Sequence, residues 1–404
     1  IATALAVRVM LRNNHRRNRG QRVPMDFSFT DEQRQLRDSI SALLRDRYGF
    51  DARRNASRSE PGWRPDIWRT LTRELGLGGA AFPERLGGAG GGAVETMIIM
   101  EELGSVLALE PWLETIVLAG GLLQACGGAV ADAALRDIIA GDAVLAFGWA
   151  EPASRYAFSD VVTTARRDGS GWKLDGHKTL VAAAPWAGAI IVSARTGGGV
   201  HDRDGISLFI VPVDRPGVTL RAYPTIDGRR SADVLLEGVT LPAEALIGPE
   251  GGALPLIEQV GDAGVAALCA EAVGITRRLL SDTIAYTAQR RQFGQPIGGF
   301  QALQHRMVDM YQQVEHAASA SYLATLHLGS APHERAKAVS AAKVAIGGVC
   351  KFVGQNAVQL HGGMGMTEEL PIGHYFKRAT VIEGELGSSD YHLRRYDRLA
   401  RTAA

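Results

Sequence analysis

The periodicity of apolar residues changes twice along this sequence, and that change constrains the fold more than any other feature. From residue 25 to about 142, apolar side chains such as Leu36, Ile40 and Leu43 recur at the spacing of an α-helix. From about 143 to 248 the pattern is that of short strands bounded by Gly, Pro and Asp, and helical spacing then returns. Strands and helices therefore occur in blocks, which argues against a doubly wound fold. Because no strand-anchored G-x-G-x-x-G is present, we do not expect a Rossmann dinucleotide site.

The blocks predict a mainly α protein with a central β-domain. We expect a basic arm at 1–24, an N-terminal helical domain at 25–142, a β-domain at 143–248 and a C-terminal helical domain at 249–404. Thr30 and Gln33 form a capping-box pattern that predicts the start of the first helix. The predicted strands, with hairpin-type turns at Asp168-Gly169 and Asp175-Gly176, are Val161–Arg167, Trp172–Leu174, Ala189–Ala194, Ile206–Val213, Val218–Ala222 and Val234–Glu237.

The arm at 1–24 carries six arginines and no acidic residue. Such a composition occurs in transit peptides. The residues from Met25 to Phe29, however, lead directly into the first helix signal, so we favour upstream sequence joined to a natural start at Met25. We expect this arm to be poorly ordered or not native to the protein.

Composition excludes several classes of function. The 404 residues carry 44 Lys and Arg against 43 Asp and Glu, whereas nucleic-acid-binding proteins usually have a strong basic excess. Hydrophobic residues make up 46%, as in globular proteins, yet no apolar run approaches the length of about 18 residues that a membrane span needs. The three cysteines are far apart, which argues against a disulfide framework or zinc cluster. We expect a cytoplasmic protein with no nucleic-acid or membrane partner, and histidine spacing suggests no metal site.

The most specific motif begins with Arg290 and contains Phe293, Gly294 and, further on, Gln301. An arginine at a helix end beside a glycine loop can hold a phosphate with its two-pronged guanidinium group. The alternative is an arginine favoured only by the helix dipole, with Phe293 filling the core.

A second motif is the glycine-rich segment that follows Gln359 and includes Gly362 and Gly363. Glycines at this density let a backbone approach a flat or charged ligand closely. The alternative is a helix C-cap followed by a sharp turn between helices.

The third motif places Glu383 between Ile382 and Gly384. A carboxylate in an apolar pocket has a raised pKa and suits a base that removes a weakly acidic C–H proton. The alternative is a solvated acid at a helix start.

Together, in this order and spacing, the three motifs resemble the acyl-CoA dehydrogenase family over nearly the whole chain. The Pro83–Gly88 loop, Glu101–Gly104 and the segment from Ala150-Glu151-Pro152 to Asp160 extend the likeness. The chain looks most like the small-subunit branch typified by pimeloyl-CoA dehydrogenase and by partner subunits of steroid side-chain dehydrogenases. This resemblance implies an N-terminal helical domain, a β-barrel-like middle domain and a C-terminal four-helix bundle. It also implies FAD and the α,β-dehydrogenation of an acyl-CoA thioester, with electron-transfer flavoprotein as the acceptor.

The resemblance also implies roles for individual residues. Glu383 matches the family's catalytic base. Two positions later the family has a Thr, where Glu385 stands here, and the resemblance implies a cofactor contact at that position. Some members carry the base on an earlier helix, but that position is Gly264 here. Ser159 would bind substrate. The contacts to the FAD diphosphate and adenine, which the family takes from a neighbouring subunit, map to Arg290, Phe293, Gln301, Gln359, Gly362 and Gly363.

The family's contacts to the flavin ring match poorly. Ala150 replaces a Thr or Ser, and Thr179–Ala182 replaces a segment that contains Trp-Ile-Thr. This chain therefore keeps the residues that contact the diphosphate and adenine of a neighbouring subunit's FAD, but it lacks those that hold the flavin ring. This difference suggests a heteromer, with two copies of this chain and two of a homologous subunit. A homotetramer with unusual ring contacts is the alternative. Two other functions stay open: a non-catalytic supporting subunit, and a different flavin reaction on the same fold.

Overall fold

The computed structural model describes residues 28–402. The predicted basic arm at 1–24 and Met25 lie outside the described residues. The chain divides into two compact units. The sheet unit contains the described residues up to Leu36, Ala56–Thr96 and Leu109–Gly261, and the helical unit contains Arg37–Asn55, Met97–Ala108 and the residues from Asp262 onward.

Helices precede the sheet, as the apolar spacing predicted. The capping box is confirmed, because the Gln33 N–H donates to Thr30 Oγ1 and the Thr30 N–H donates to Gln33 Oε1. A wider π-type helix at Trp112–Ala119 leads into α5. The α-helices of this block are α1 Asp31–Arg47, α2 Phe50–Arg58, α3 Pro65–Arg69, α4 Ala93–Ser105, α5 Gly120–Cys126 and α6 Ala129–Ile139.

Eight strands of the sheet unit form one sheet. Its order is β6-β7-β3-β2-β4-β5-β8, with β1 added beside β4. Neighbours pair antiparallel, except that β4 pairs parallel with both β1 and β2. The strands are β1 Leu145–Gly148, β2 Thr164–Asp168, β3 Gly171–Ala182, β4 Ala189–Arg195, β5 Ile206–Pro212, β6 Val218–Pro224, β7 Arg230–Leu241 and β8 Leu246–Ile247.

The six predicted strands are present, but one predicted turn is wrong. Asp168-Gly169 does begin the connection from β2 to β3, whereas Asp175-Gly176 lies inside the long strand β3. A Cβ at position 176 would lie 2.3 Å from Thr163 Oγ1, so glycine is required there by close approach rather than by a turn.

Strand β3 contributes a buried charge to the sheet unit. Lys178 is fully buried, and its ammonium group donates to Glu151 Oε1 at 2.6 Å and to Ser193 Oγ at 3.1 Å. Glu151 also accepts from the backbone N–H groups of Val162 and Thr163. Burial lowers the pKa of Lys178, and the negative charge of Glu151 opposes that shift. This pair fixes the segment after β1 to the centre of the sheet.

The helical unit is built on long helices. Its α4 and α7 approach closely, because a Cβ at Gly104 would lie 2.2 Å from the Glu271 carbonyl oxygen and one at Gly274 would lie 2.0 Å from that of Glu101. A short hairpin, β9 Arg291–Gln292 and β10 Gln295–Pro296, follows α7. The helices from residue 254 on are α7 Leu254–Gln289, α8 Gln301–Leu326, α9 Pro332–His361, α10 Pro371–Gly384 and α11 Ser389–Thr402.

The predicted order of helices, sheet and helices is therefore confirmed, and so is the mainly α class with a central sheet. Within residues 28–402, no helix combines the length and the apolar composition that crossing a membrane requires.

Candidate active site and cofactor surface

The end of α7 lies against the end of α9 in the helical unit. The rings of Tyr286 and His361 stack with their centroids 4.2 Å apart, and the Tyr286 hydroxyl donates to the His361 carbonyl oxygen at 3.4 Å. His361 Nδ1 lies 2.8 Å from the carbonyl oxygen of Ala357 one turn earlier. These contacts place the Arg290 motif next to the glycine-rich segment, although the two motifs are about 70 residues apart in the sequence.

The hairpin after α7 presents an aromatic ring to solvent. Gln292 pairs with Gln295, and the two residues of the turn, Phe293 and Gly294, have φ of 52° and 82°. This left-handed backbone suits glycine but strains phenylalanine, and Phe293 is also 90% exposed. A strained, exposed aromatic residue at a turn points to a contact with a ligand or another chain.

The two motifs line one depression of about 560 Å³. Arg290, Phe293, Gln359, Gly362 and Gly363, which were all predicted as cofactor contacts, lie in its wall. From outside the two motifs the structure adds Tyr286, Leu303 and Arg306. From within them it adds residues for which no role was predicted: Gln292, Ile297, Phe300, Leu360, His361 and Met364.

Arg306 is the most informative of the added residues. It is exposed and gives the depression a second guanidinium group in addition to that of Arg290. Phe300, Leu303 and Arg306 follow one another at intervals of three, so their helical spacing could have pointed to a shared face. The depression has free space at its two glycines, because a Cβ at Gly362 or Gly363 would meet nothing within 4 Å.

The depression therefore suits an anionic ligand with a flat part. Two exposed guanidinium groups can hold a diphosphate, and the side-chain-free glycines allow close backbone approach. Gln301, by contrast, is the exposed first residue of α8 and does not line the depression.

Glu383 lies in a different groove of the helical unit, of about 570 Å³, between α9 and α10. Its Oε1 accepts a hydrogen bond from the Ser389 N–H at 2.9 Å, at the start of α11. Apolar and polar groups both line the groove: Val344, Gly347, Gly348, Lys351, Gln355, Phe376, Ala379, Thr380 and Ser389.

Buried cations fix the backbone on both sides of Glu383. Lys343, which is fully buried, donates to the carbonyl oxygens of Ile382 at 2.5 Å and of Glu385 at 2.7 Å. Arg378 lies 2.9 Å from the Glu385 carboxylate and also makes a two-pronged ion pair with Glu271 at 2.7 Å. The carboxylate of Glu385 thus faces an internal cation.

The sheet unit holds the remaining predicted site residues. Ser159 is half-buried in the segment between β1 and β2. At the positions that the resemblance assigns to the flavin ring, Ala150 and Ala182 are half-buried and offer no side-chain hydroxyl. Leu180 is 65% exposed, with φ of 53°, beside an irregularity in the pairing of β3 with β7.

The described residues combine a helix–sheet–helix order with a depression, lined by arginine and glycine, that suits an anionic ligand. Comparison with known families is more specific. The models for the N-terminal, middle and C-terminal domains of acyl-CoA dehydrogenases match residues 30–151, 146–239 and 262–399. The chain belongs to the acyl-CoA dehydrogenase family, and it is an oxidoreductase of the FAD-dependent kind.

Three relatives illustrate the similarity. The probable acyl-CoA dehydrogenase YngJ of Bacillus subtilis strain 168 is 28% identical over 372 residues, which are 91% of this chain and 97% of YngJ. A chain in the crystal structure of the ChsE4-ChsE5 complex from Mycobacterium tuberculosis is 27% identical, with a TM-score of 0.84 and coverage of 93% and 99%. A chain in the structure of the Tcur3481-Tcur3483 steroid ACAD G363A variant is 29% identical, with a TM-score of 0.83 and coverage of 92% and 98%.

The described residues fit one part of FAD better than the other. In the helical unit, Arg290, Arg306 and the open backbone at Gly362 suit the diphosphate and adenine. In the sheet unit, Ala150 and Ala182 supply neither a hydroxyl nor an indole for the flavin ring.

Proposed function

We propose that this chain is a subunit of an FAD-dependent acyl-CoA dehydrogenase, in which it assembles with a homologous chain. The observation that carries the proposal is the contrast between its two surfaces. The depression around Arg290 and Gly362 has charge and space for a diphosphate, whereas Ala150, Leu180 and Ala182 are poor contacts for a flavin ring. A partner subunit would hold the ring of the same FAD molecule. The similar chain from Mycobacterium tuberculosis comes from a complex with two differently named components, which supports this arrangement.

Glu383 is the base that we propose this chain contributes, which requires its groove to face the flavin ring that the partner subunit holds. One carboxylate oxygen accepts from the Ser389 N–H, and the other has no hydrogen-bond partner among the described residues. That second oxygen, Oε2, would take the α-proton of an acyl-CoA thioester as the Cα–Cβ double bond forms. FAD, when bound, supplies the acceptor for the β-hydride. The electrons would then pass to an electron-transfer flavoprotein.

A supporting role is the second candidate, and two observations favour it. The Glu383 carboxylate already caps α11, and the Glu385 carboxylate is held by Arg378 instead of facing a ligand. In that case the partner would supply both the base and the ring contacts, and Glu383 would matter for folding alone. Replacing Glu383 by Gln in the assembled complex separates the candidates, because a catalytic base would lose at least about 100-fold in rate.

The chemical class of the acyl group is proposed by similarity. One similar structure is that of a steroid ACAD variant, so we propose a bulky, steroid-derived or dicarboxylic CoA ester. Comparing the rate with a steroid side-chain CoA ester against the rate with butyryl-CoA tests this proposal. A preference for butyryl-CoA would contradict it.

Subunit composition is tested by purifying the chain alone and together with a homologous partner subunit. The measurements are native mass, FAD per chain from flavin absorbance, and reduction of an artificial electron acceptor by acyl-CoA. We expect the chain alone to hold little FAD, and the complex to contain both chains equally with one FAD per pair. An active homotetramer with one FAD in every chain would contradict the heteromer.

A further inference from the structure

The buried guanidinium group of Arg195 holds two loops of the sheet unit together. Arg195 ends β4 and is only 6% exposed. Its three nitrogens donate to backbone carbonyl oxygens on both sides of the strand end. The acceptors are those of Ser159 at 2.6 Å, Asp204 at 2.7 Å, Val200 at 2.8 Å, Asp202 at 2.8 Å and Val161 at 3.3 Å.

Two further contacts join the same loops. The Val161 N–H donates to the Val200 carbonyl oxygen at 3.2 Å, and His201 Nδ1 lies 3.0 Å from Asp160 Oδ1. The segment 159–161 is therefore attached to the hairpin 200–204 at several points. A guanidinium group can satisfy so many acceptors because its donors lie in a fixed planar fork, which the single ammonium group of lysine does not offer.

The Ser159 backbone is held, but its side chain is available. Its carbonyl oxygen receives the shortest of the Arg195 hydrogen bonds, whereas its half-buried hydroxyl group has no partner among the described residues. A hydroxyl on a fixed backbone with no internal partner is suited to a hydrogen bond with a ligand.

We propose that Arg195 is a positioning residue that orients the Ser159 hydroxyl toward the acyl-CoA thioester. The inference rests on the proposed function, acyl-CoA dehydrogenation, and on the substrate contact that the family resemblance implies for Ser159. Arg195 itself is too buried to do so, and it acts through the Ser159 carbonyl oxygen. If Arg195 had a purely structural role, replacing it would lower the stability of the protein but would leave the contribution of the Ser159 hydroxyl to substrate binding unchanged.

A double-mutant cycle on the assembled, FAD-loaded complex separates the two roles. The probe is acetoacetyl-CoA, whose β-carbon is already oxidised, so that it binds without turnover. We expect Ser159→Ala and Arg195→Lys each to raise the Kd by about fivefold, the value of one hydrogen bond. The double variant should show the same fivefold increase, because the second change removes a contact that is already lost.

A matched control lies in the same hairpin. Arg203 makes an exposed ion pair with Glu258, so Arg203→Lys should leave the Kd within about twofold. Flavin content should be the same in all variants. If the effects of Ser159→Ala and Arg195→Lys multiply, to about 25-fold, Arg195 does not act through Ser159 and the inference is overturned. If Ser159→Ala alone leaves the Kd unchanged, the substrate role proposed for Ser159 fails as well.

A second variant covers the case in which Arg195→Lys does not fold. His201 is 80% exposed on its side chain, so His201→Ala removes the link to Asp160 without disturbing the core. We expect it to raise the Kd by about twofold on its own and to have no further effect in the Ser159→Ala background. An equal effect of His201→Ala in both backgrounds would contradict the inference.

Discussion

The carboxylate of Glu383 accepts a hydrogen bond from the Ser389 N–H, so the last turn of α10 caps the first turn of α11. This cap predicts a difference between two substitutions. Glu383→Ala removes the acceptor and should lower the free energy of unfolding by about 1 kcal/mol, whereas Glu383→Gln keeps a carbonyl oxygen and should cost less than half of that. Thermal unfolding of the two variants checks this. Equal stability of Glu383→Ala and the unmutated protein would contradict the capping role.

His392 predicts a specific loss of stability in acid. It is 1% exposed, with Nε2 near the Leu386 carbonyl oxygen at 3.1 Å and Nδ1 near Ser340 Oγ at 3.4 Å. Burial, together with the positive charges of Lys343 and Arg395, lowers the pKa of His392 to about 3. Below about pH 6.5 the unfolded chain therefore binds a proton that the folded protein excludes until about pH 3.

Stability should consequently fall as the pH decreases through that window. Between pH 7 and pH 5, His392 should contribute a loss of about 2 kcal/mol. His392→Gln keeps an N–H donor for the Leu386 carbonyl oxygen but cannot titrate, so its urea-unfolding free energy should fall by about 2 kcal/mol less over this range. Identical pH dependence of the variant and the unmutated protein would show that His392 is readily protonated in the fold.

The buried pair of Lys178 and Glu151 should contribute far more than an exposed one. Lys178→Met leaves a carboxylate buried beside a neutral side chain, and we expect a loss of about 3 kcal/mol or more. The control is Glu250→Gln, which breaks the solvent-exposed pair with Arg167 and should cost less than about 1 kcal/mol. Urea denaturation compares the two variants. Similar small losses in both would mean that the buried pair does not hold the segment after β1.

The contact between α4 and α7 requires a glycine at position 274. A Cβ there would lie 2.0 Å from the Glu101 carbonyl oxygen, which is a backbone atom, so Gly274→Ala should destabilise the protein by more than about 2 kcal/mol. A Cβ added at Gly348, in α9, would have no neighbouring atom within 4 Å. Gly348→Ala should instead stabilise by about 0.5 kcal/mol through helix propensity. Opposite shifts of the melting temperature are the expected result, and a neutral Gly274→Ala would contradict the packing.

Sequence periodicity predicted the order of the elements because burial on one face leaves a clear repeat in the amphipathic helices and strands. The prediction was wrong where the fold depends on two segments of the chain packing closely against each other. Gly176 was predicted in a turn, but it lies within β3 and accommodates Thr163. The strand Leu145–Gly148 was also missed, because four uniformly buried residues show no alternation.

The candidate site was predictable only where a motif carried it. Arg290 and Gly362 were selected from local patterns, and the structure places them in one depression through the stacking of Tyr286 on His361. The bond from Ser389 to Glu383 depends on the turn between α10 and α11, in which Leu386 has φ of 54°. A left-handed leucine carries no sequence signal, so this bond could not be foreseen.

Flavin content of the assembled complex is the most direct test of the central claim, which is that the depression around Arg290 holds the diphosphate of FAD. The comparison is between Arg290→Ala and Arg291→Ala, since Arg291 is also exposed but does not line the depression. We predict that Arg290→Ala weakens FAD binding by about tenfold or more, as expected for a lost guanidinium–phosphate contact, while Arg291→Ala retains the flavin. Full flavin occupancy in Arg290→Ala, with an unchanged dissociation constant, would contradict the account.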